Sequence, residues 1–80
     1  KETILLVEDN NTVRALVREL LETSGYKVLA AAQSEEALAL AAAHPGPIHV
    51  VLTDVIMPGM NGPQLYARIL AQRPGTPVVP

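Results

Sequence analysis

Three carboxylates are placed where they could do chemistry together. Glu8 and Asp9 close the apolar run Ile4-Leu5-Leu6-Val7, and Asp54 closes a second run, Ile48 to Thr53. In an open parallel sheet, ligands bind beyond the carboxyl ends of the strands, where successive connections leave for opposite faces. If the two runs are neighbouring strands, all three acids converge in one cleft. Carboxylates that close cannot all stay ionised without a cation. A hard divalent ion with oxygen ligands resolves the conflict, and Mg²⁺ commonly binds through one or two carboxylates while keeping waters and phosphate oxygens. A carboxylate beside such an ion can also accept a phosphoryl group, attacking in line while the metal neutralises the equatorial oxygens. Taken singly, each acid has a plainer use: Asp9 as the cap of the following helix and Asp54 as the cap of a loop.

The elements that must position these acids follow from hydrophobic periodicity. Ile4 to Val7 is continuously apolar, as expected of a strand buried on both faces of a parallel sheet. From Thr12 the period changes: Val13, Leu16, Val17, Leu20 and Leu21 form one stripe of an amphipathic helix, and Gly25 lies just past its end. Tyr26 to Ala31 predicts a second strand. Ser34 followed by Glu35 and Glu36 predicts a capped helix start, with two acids at the positive end of the helix dipole. The Ala-rich helix stops before Pro45-Gly46-Pro47, and Ile48 to Thr53 is the third strand. Val55 to Gly62 is rich in turn formers and predicts a loop; Pro63 then opens a helix whose apolar side is Leu65, Ile69 and Leu70. Pro74-Gly75 ends it, and Pro77-Val78-Val79 begins a fourth strand. Strand-helix alternation of this kind predicts an α/β fold, a doubly wound parallel sheet with right-handed crossovers. The acids meet if the strand order is 2-1-3-4-5.

Composition narrows the function classes. The chain has 80 residues, 49% of them hydrophobic, enough to order one modest core and too few for a multidomain enzyme. Its net charge of -2 comes without a Lys/Arg cluster, so nucleic-acid binding by this segment is not expected. The absence of Cys excludes disulfides, thiol nucleophiles and thiolate metal sites, and points to a reducing, cytoplasmic setting. No apolar run reaches membrane-spanning length.

Lesser candidates have structural readings. Met57 and Met60 are expected to anchor a loop rather than bind a soft metal. His44 and His49 are expected to be a helix-end charge and an edge polar group rather than ligands or phosphorylation sites. Tyr66 reads as the margin of the third helix. Arg14, Arg18 and Glu22, at four-residue intervals, form a solvated and weakly paired face.

Leu5-Leu6-Val7-Glu8-Asp9 and Leu52-Thr53-Asp54-Val55-Ile56-Met57-Pro58-Gly59-Met60-Asn61-Gly62 closely resemble the receiver domain of two-component response regulators and hybrid histidine kinases. The resemblance runs along the whole chain, and the second stretch is its specific part. It implies a flavodoxin-like fold and a phosphoacceptor role for Asp54, which would take a phosphoryl group from a phosphohistidine on a histidine kinase or histidine phosphotransfer protein. Such a domain catalyses its own phosphorylation and is not a stand-alone enzyme. Mg²⁺ would be held by Glu8, Asp9, Asp54 and the backbone carbonyl of Ile56, Asp9 directly and Glu8 often through water. Phosphorylation would then bias a bistable element and alter a distant surface. The donor is expected on the face of the first helix, at Asn11, Arg14, Ala15 and Arg18.

The chain also departs from the family pattern. The Ser or Thr that ends strand four and the Lys that ends strand five have no counterpart; Lys1 and Lys27 sit near the amino ends of strands. Asn61 stands where Asp is common. Strand five and the last two helices are absent, so residues 1–80 read as a partial receiver domain. An uncovered sheet edge, with dimerisation or strand exchange through it, is the expected consequence. Among rivals, an aspartyl-phosphate phosphohydrolase wants an Asp-x-Asp nucleophile loop, which Asp9-Asn10-Asn11 does not supply. A flavin or dinucleotide binder wants a phosphate-cradling loop that Glu8 and Asp9 would repel. A degenerate receiver that only docks proteins, without phosphorylation, remains the alternative.

Overall fold

In the computed structural model the first apolar run is a strand, β1 (Thr3–Val7), buried at all five residues. The structure describes residues 2–53, 56–57 and 60–79. After β1 come α1 (Asn11–Thr23), β2 (Lys27–Ala31), α2 (Ser34–Ala43), β3 (Val50–Thr53), β4 (Ile56–Met57), β5 (Met60–Asn61), α3 (Gly62–Gln72) and β6 (Val78–Val79). Four strands form a parallel sheet in the order β2-β1-β3-β6, with β6 as the predicted fourth strand. Because β1 is hydrogen-bonded on both sides, neither face nor edge of it meets water, which is why its sequence is apolar without alternation.

The helices divide between the faces of the sheet. Leu5 and Val7 join Ala31, Ala37, Ala41, Ile48, Val51 and Ile69 in one buried core, which α2 and α3 cover. Ile4 and Leu6, alternating with them along β1, point to the opposite face, where α1 lies against β1 and β2. The alanines of α2 have a packing reason: Ala37 and Ala41, one turn apart, are both fully buried, and their small side chains let the helix lie close to the sheet.

Local chemistry explains the helix ends. Asn10, extended at φ −79° and ψ 117°, caps α1 by accepting a hydrogen bond from Val13 N–H through Oδ1 at 3.0 Å. At the other end Gly25 has φ 98°; its N–H donates to Glu22 O and that of Tyr26 to Leu21 O, the paired bonds of a Schellman motif. In α2 the expected cap at Ser34 is corrected by one residue. The cap position is Gln33, whose side chain makes no capping bond, and Ser34 is the first helical residue, 1% exposed. Glu36 instead reaches back to accept from Ala32 N–H at 3.0 Å.

Two further expectations change. The stripe of α1 is helical as predicted, yet no residue of α1 is buried, and Leu16 and Leu20 are 57% and 59% exposed. The helix meets the sheet along Val17 and Leu21, which are half-buried, and no described element packs on its other flank. The segment after β3, predicted as a loop, contains a small antiparallel ribbon in which Ile56 pairs with Asn61 and Met57 with Met60. The ribbon leads directly into α3, which begins at Gly62, so Pro63 still falls in the first turn where an N–H is not needed.

Candidate functional site

Parallel register decides where the acids go. Val7, the last residue of β1, pairs with Thr53, the last residue of β3. Glu8 and Asp54 are therefore the next residues along two adjacent strands running in the same direction. Asp54 and Val55 lie outside the described residues. Ile56 is described as part of β4.

Glu8 is held from three directions. Its N–H donates to Ala31 O of β2 at 3.0 Å, its carbonyl accepts from Nη1 of Arg14 at 2.9 Å, and its Oε2 accepts from Asn10 N–H at 3.0 Å. Asp9 differs: its carboxylate is exposed and takes no hydrogen bond or ion pair among the described residues. Since Asn10 caps α1, the plainer use for Asp9 is set aside. That cap was legible, because Asn ranks with Asp at cap positions and Asn10 directly precedes the first helical residue.

The donor set suits a hard cation. Among the described residues no group of three His, Asp or Glu side chains gathers into a metal cluster, and the third carboxylate, Asp54, lies outside them. The described pair offers only carboxylate oxygen, with one carboxylate fixed and one unpartnered. His49 is not near it, lying at the opposite end of β1, where its Nδ1 accepts from Thr3 N–H at 2.9 Å. Such a set fits Mg²⁺ better than a softer transition metal. His49 instead prolongs the pairing of β3 with β1, its own N–H donating to Thr3 O at 2.8 Å. Its role is structural.

Beside the acidic loop, α1 carries a groove of about 360 Å³ lined by Asn11, Arg14, Ala15, Arg18, Glu19 and Glu22, with Ala30 of β2 also contributing. The four residues expected to meet a donor all lie in it. Arg18 Nε and Glu22 Oε2 are 3.2 Å apart, but both side chains are about half exposed, so the pair contributes little stability. Arg14 is not the solvated side chain its spacing predicted. It is half-buried and donates through Nη1 to Glu8 O and through Nη2 to Asn11 Oδ1 at 2.7 Å. No sequence signal marks that contact, because any arginine one turn into a helix reads as surface.

A parallel sheet with a reversal of winding between β1 and β3 defines the flavodoxin-like class of doubly wound α/β proteins. Within it, residues 4–80 match the model of the response regulator receiver domain. The chain is 36% identical over 78 residues to the C4-dicarboxylate transport transcriptional regulatory protein DctD of Rhizobium meliloti, covering 96% of this chain and 16% of that regulator. Among solved structures it matches the receiver domain from the hybrid histidine kinase CckA, with a TM-score of 0.89 and 43% identity over 95% of this chain and 70% of that one. A structure of the histidine kinase ThkA in complex with the response regulator protein TrrA also matches, with a TM-score of 0.82 and 29% identity over 98% of this chain and 66% of that one. The chain belongs to the receiver domain family of two-component response regulators and hybrid histidine kinases. No helix among the described residues is long and apolar enough to cross a membrane.

Proposed function

We propose that this chain is the phosphoacceptor of a two-component phosphorelay, and that Asp54 takes a phosphoryl group from a phosphohistidine on a histidine kinase or histidine phosphotransfer protein. The observation that carries the proposal is the pairing of Val7 with Thr53, which sets Glu8 beside the end of the strand that Asp54 follows in sequence, while Asn10 relieves Asp9 of helix capping. In the transfer, a carboxylate oxygen of Asp54 forms the bond to phosphorus as the donor's N–P bond breaks. The imidazole nitrogen keeps the electron pair of that bond: a ring protonated on its other nitrogen leaves as neutral imidazole, and an unprotonated ring takes a proton from solvent as it leaves. Glu8, Asp9, Asp54 and the carbonyl of Ile56 would hold Mg²⁺, which supplies neutralisation of the phosphoryl oxygens. Glu8 presents its backbone and carboxylate in fixed positions, and Asp9 offers a carboxylate without competing partners among the described residues.

The donor docks on the α1 groove, where Asn11, Arg14, Ala15 and Arg18 lie next to the acidic loop. The ThkA–TrrA complex supports a kinase as the kind of partner. Full-length protein incubated with phosphoramidate and Mg²⁺ should acquire one hydroxylamine-sensitive phosphoryl group, and Asp54→Ala should remove it. Labelling that survives Asp54→Ala refutes the assignment of Asp54, and a wild-type chain that never labels favours a docking module without phosphorylation.

A further inference from the structure

The contact between Arg14 and Glu8 has no counterpart in the requirements of an ordinary surface helix. A helix needs its cap, which Asn10 supplies, and an exposed arginine in its first turns adds little. Here the guanidinium turns back past the cap to the last residue before Asp9. The carbonyl of Glu8 and the N–H of Asp9 belong to one planar peptide unit, so a bond that fixes Glu8 O also fixes the plane from which the Asp9 side chain departs. The same guanidinium is itself steadied by Asn11 Oδ1 at 2.7 Å, and Glu8 N–H is anchored to Ala31 O on the other side. Arg14 thus closes a ring of bonds around a loop in which the Asp9 carboxylate has no partner among the described residues.

We propose that Arg14 is a positioning residue for cation binding: it locks the Glu8-Asp9 peptide so that both carboxylates approach a divalent ion in one geometry. This rests on the reading of Glu8 and Asp9 as cation ligands. Its effect has a sign that distinguishes it from simple electrostatics. A positive guanidinium near a cation site repels the cation, so on charge alone removing Arg14 tightens binding. A positioning role predicts the reverse, in line with the roughly 10–100-fold losses of metal affinity that follow loss of groups supporting metal ligands.

The test is calorimetric titration of Mg²⁺ alone into full-length protein, comparing wild type with Arg14→Ala, Arg14→Lys, Arg18→Ala and Asp9→Asn. Arg14→Ala should weaken Mg²⁺ by about tenfold or more. Arg14→Lys should recover part of that, since an ammonium can still reach one carbonyl but lacks the fork that spans Glu8 and Asn11. Arg18 lines the same groove without touching Glu8, so Arg18→Ala should leave the affinity within about twofold, slightly on the tighter side. In phosphoramidate labelling, Arg14→Ala should raise the Mg²⁺ concentration needed for half-maximal rate by about the factor by which it weakens Mg²⁺ binding. Unchanged or tighter Mg²⁺ binding by Arg14→Ala overturns the proposal, even if the variant melts at a lower temperature, because that is the signature of a purely structural contact. Mg²⁺ binding by Asp9→Asn that equals wild type instead overturns the underlying assignment of the cation to this acidic pair.

Discussion

Arg73, one residue past the end of α3, makes the densest set of side-chain bonds in the described molecule, and its removal should be correspondingly severe. Its Nε and Nη2 both donate to Ala41 O, at 3.2 and 2.7 Å; Nη2 also reaches His44 O at 2.7 Å, and Nη1 reaches Gly46 O at 2.8 Å. Ala41 lies in the last turn of α2 and His44 is its C-terminal cap. The arginine therefore satisfies carbonyls that no residue of α2 can reach, and places its charge at the negative end of that helix's dipole. Hydrogen bonds to a charged group contribute roughly 1.5–3 kcal/mol each. Arg73 is only half-buried, so water replaces part of what is lost, and Arg73→Ala should cost about 2–4 kcal/mol rather than the full sum over three carbonyls. Arg73→Lys can satisfy one carbonyl at a time and should recover about half. Peptide-resolved hydrogen exchange on full-length protein measures this locally: amides of α2 and of residues 44–48 should exchange faster, ahead of those of β1. A loss below about 0.5 kcal/mol for Arg73→Ala, or a lysine variant equal to wild type, refutes the claim that the fork geometry matters.

Asn10→Ala should destabilise the protein by about 1 kcal/mol in urea titrations through loss of the α1 cap. Asp9→Asn should leave stability without Mg²⁺ unchanged or slightly raised and abolish Mg²⁺ binding; the reverse pattern would make Asp9 the structural residue. Ile56, two residues beyond the proposed phosphoacceptor, offers no polar group to orient a hydrolytic water. Loss of phosphate is therefore expected to be slow, and Ile56→Asn should accelerate it severalfold in a dephosphorylation time course. Thr76→Val should cost about 1 kcal/mol, because the buried hydroxyl of Thr76 donates to Ile48 O at 3.1 Å and the substitution leaves that carbonyl short of a partner.

Much of the architecture was legible because it is written in short-range patterns. The continuous apolar run of β1, the 3.6-residue stripe of α1 and the positive-φ glycine at its end each concern residues within a few positions of one another, and each kept its type in the structure. Alternation of strands and helices then left few topologies, and the order β2-β1-β3-β6 sets the strand that ends in Glu8 and Asp9 beside the strand that precedes Asp54 in sequence. The same local logic went astray by a residue at Ser34, where burial rather than capping decides the side chain's place. It also could not show that the stripe of α1 would stay largely exposed, since periodicity reports which face is apolar and not what covers it.

By itself, then, the sequence determined the elements, their order, and the presence of acids at the ends of two strands. Only the tertiary structure decided that Arg14 turns back to hold Glu8, and that Arg73 reaches across 32 positions to close α2. The physical reason is the range of the interactions. Helix and strand preferences are settled among near neighbours along the chain, whereas a guanidinium chooses its carbonyls only after packing has brought together segments that the sequence keeps apart.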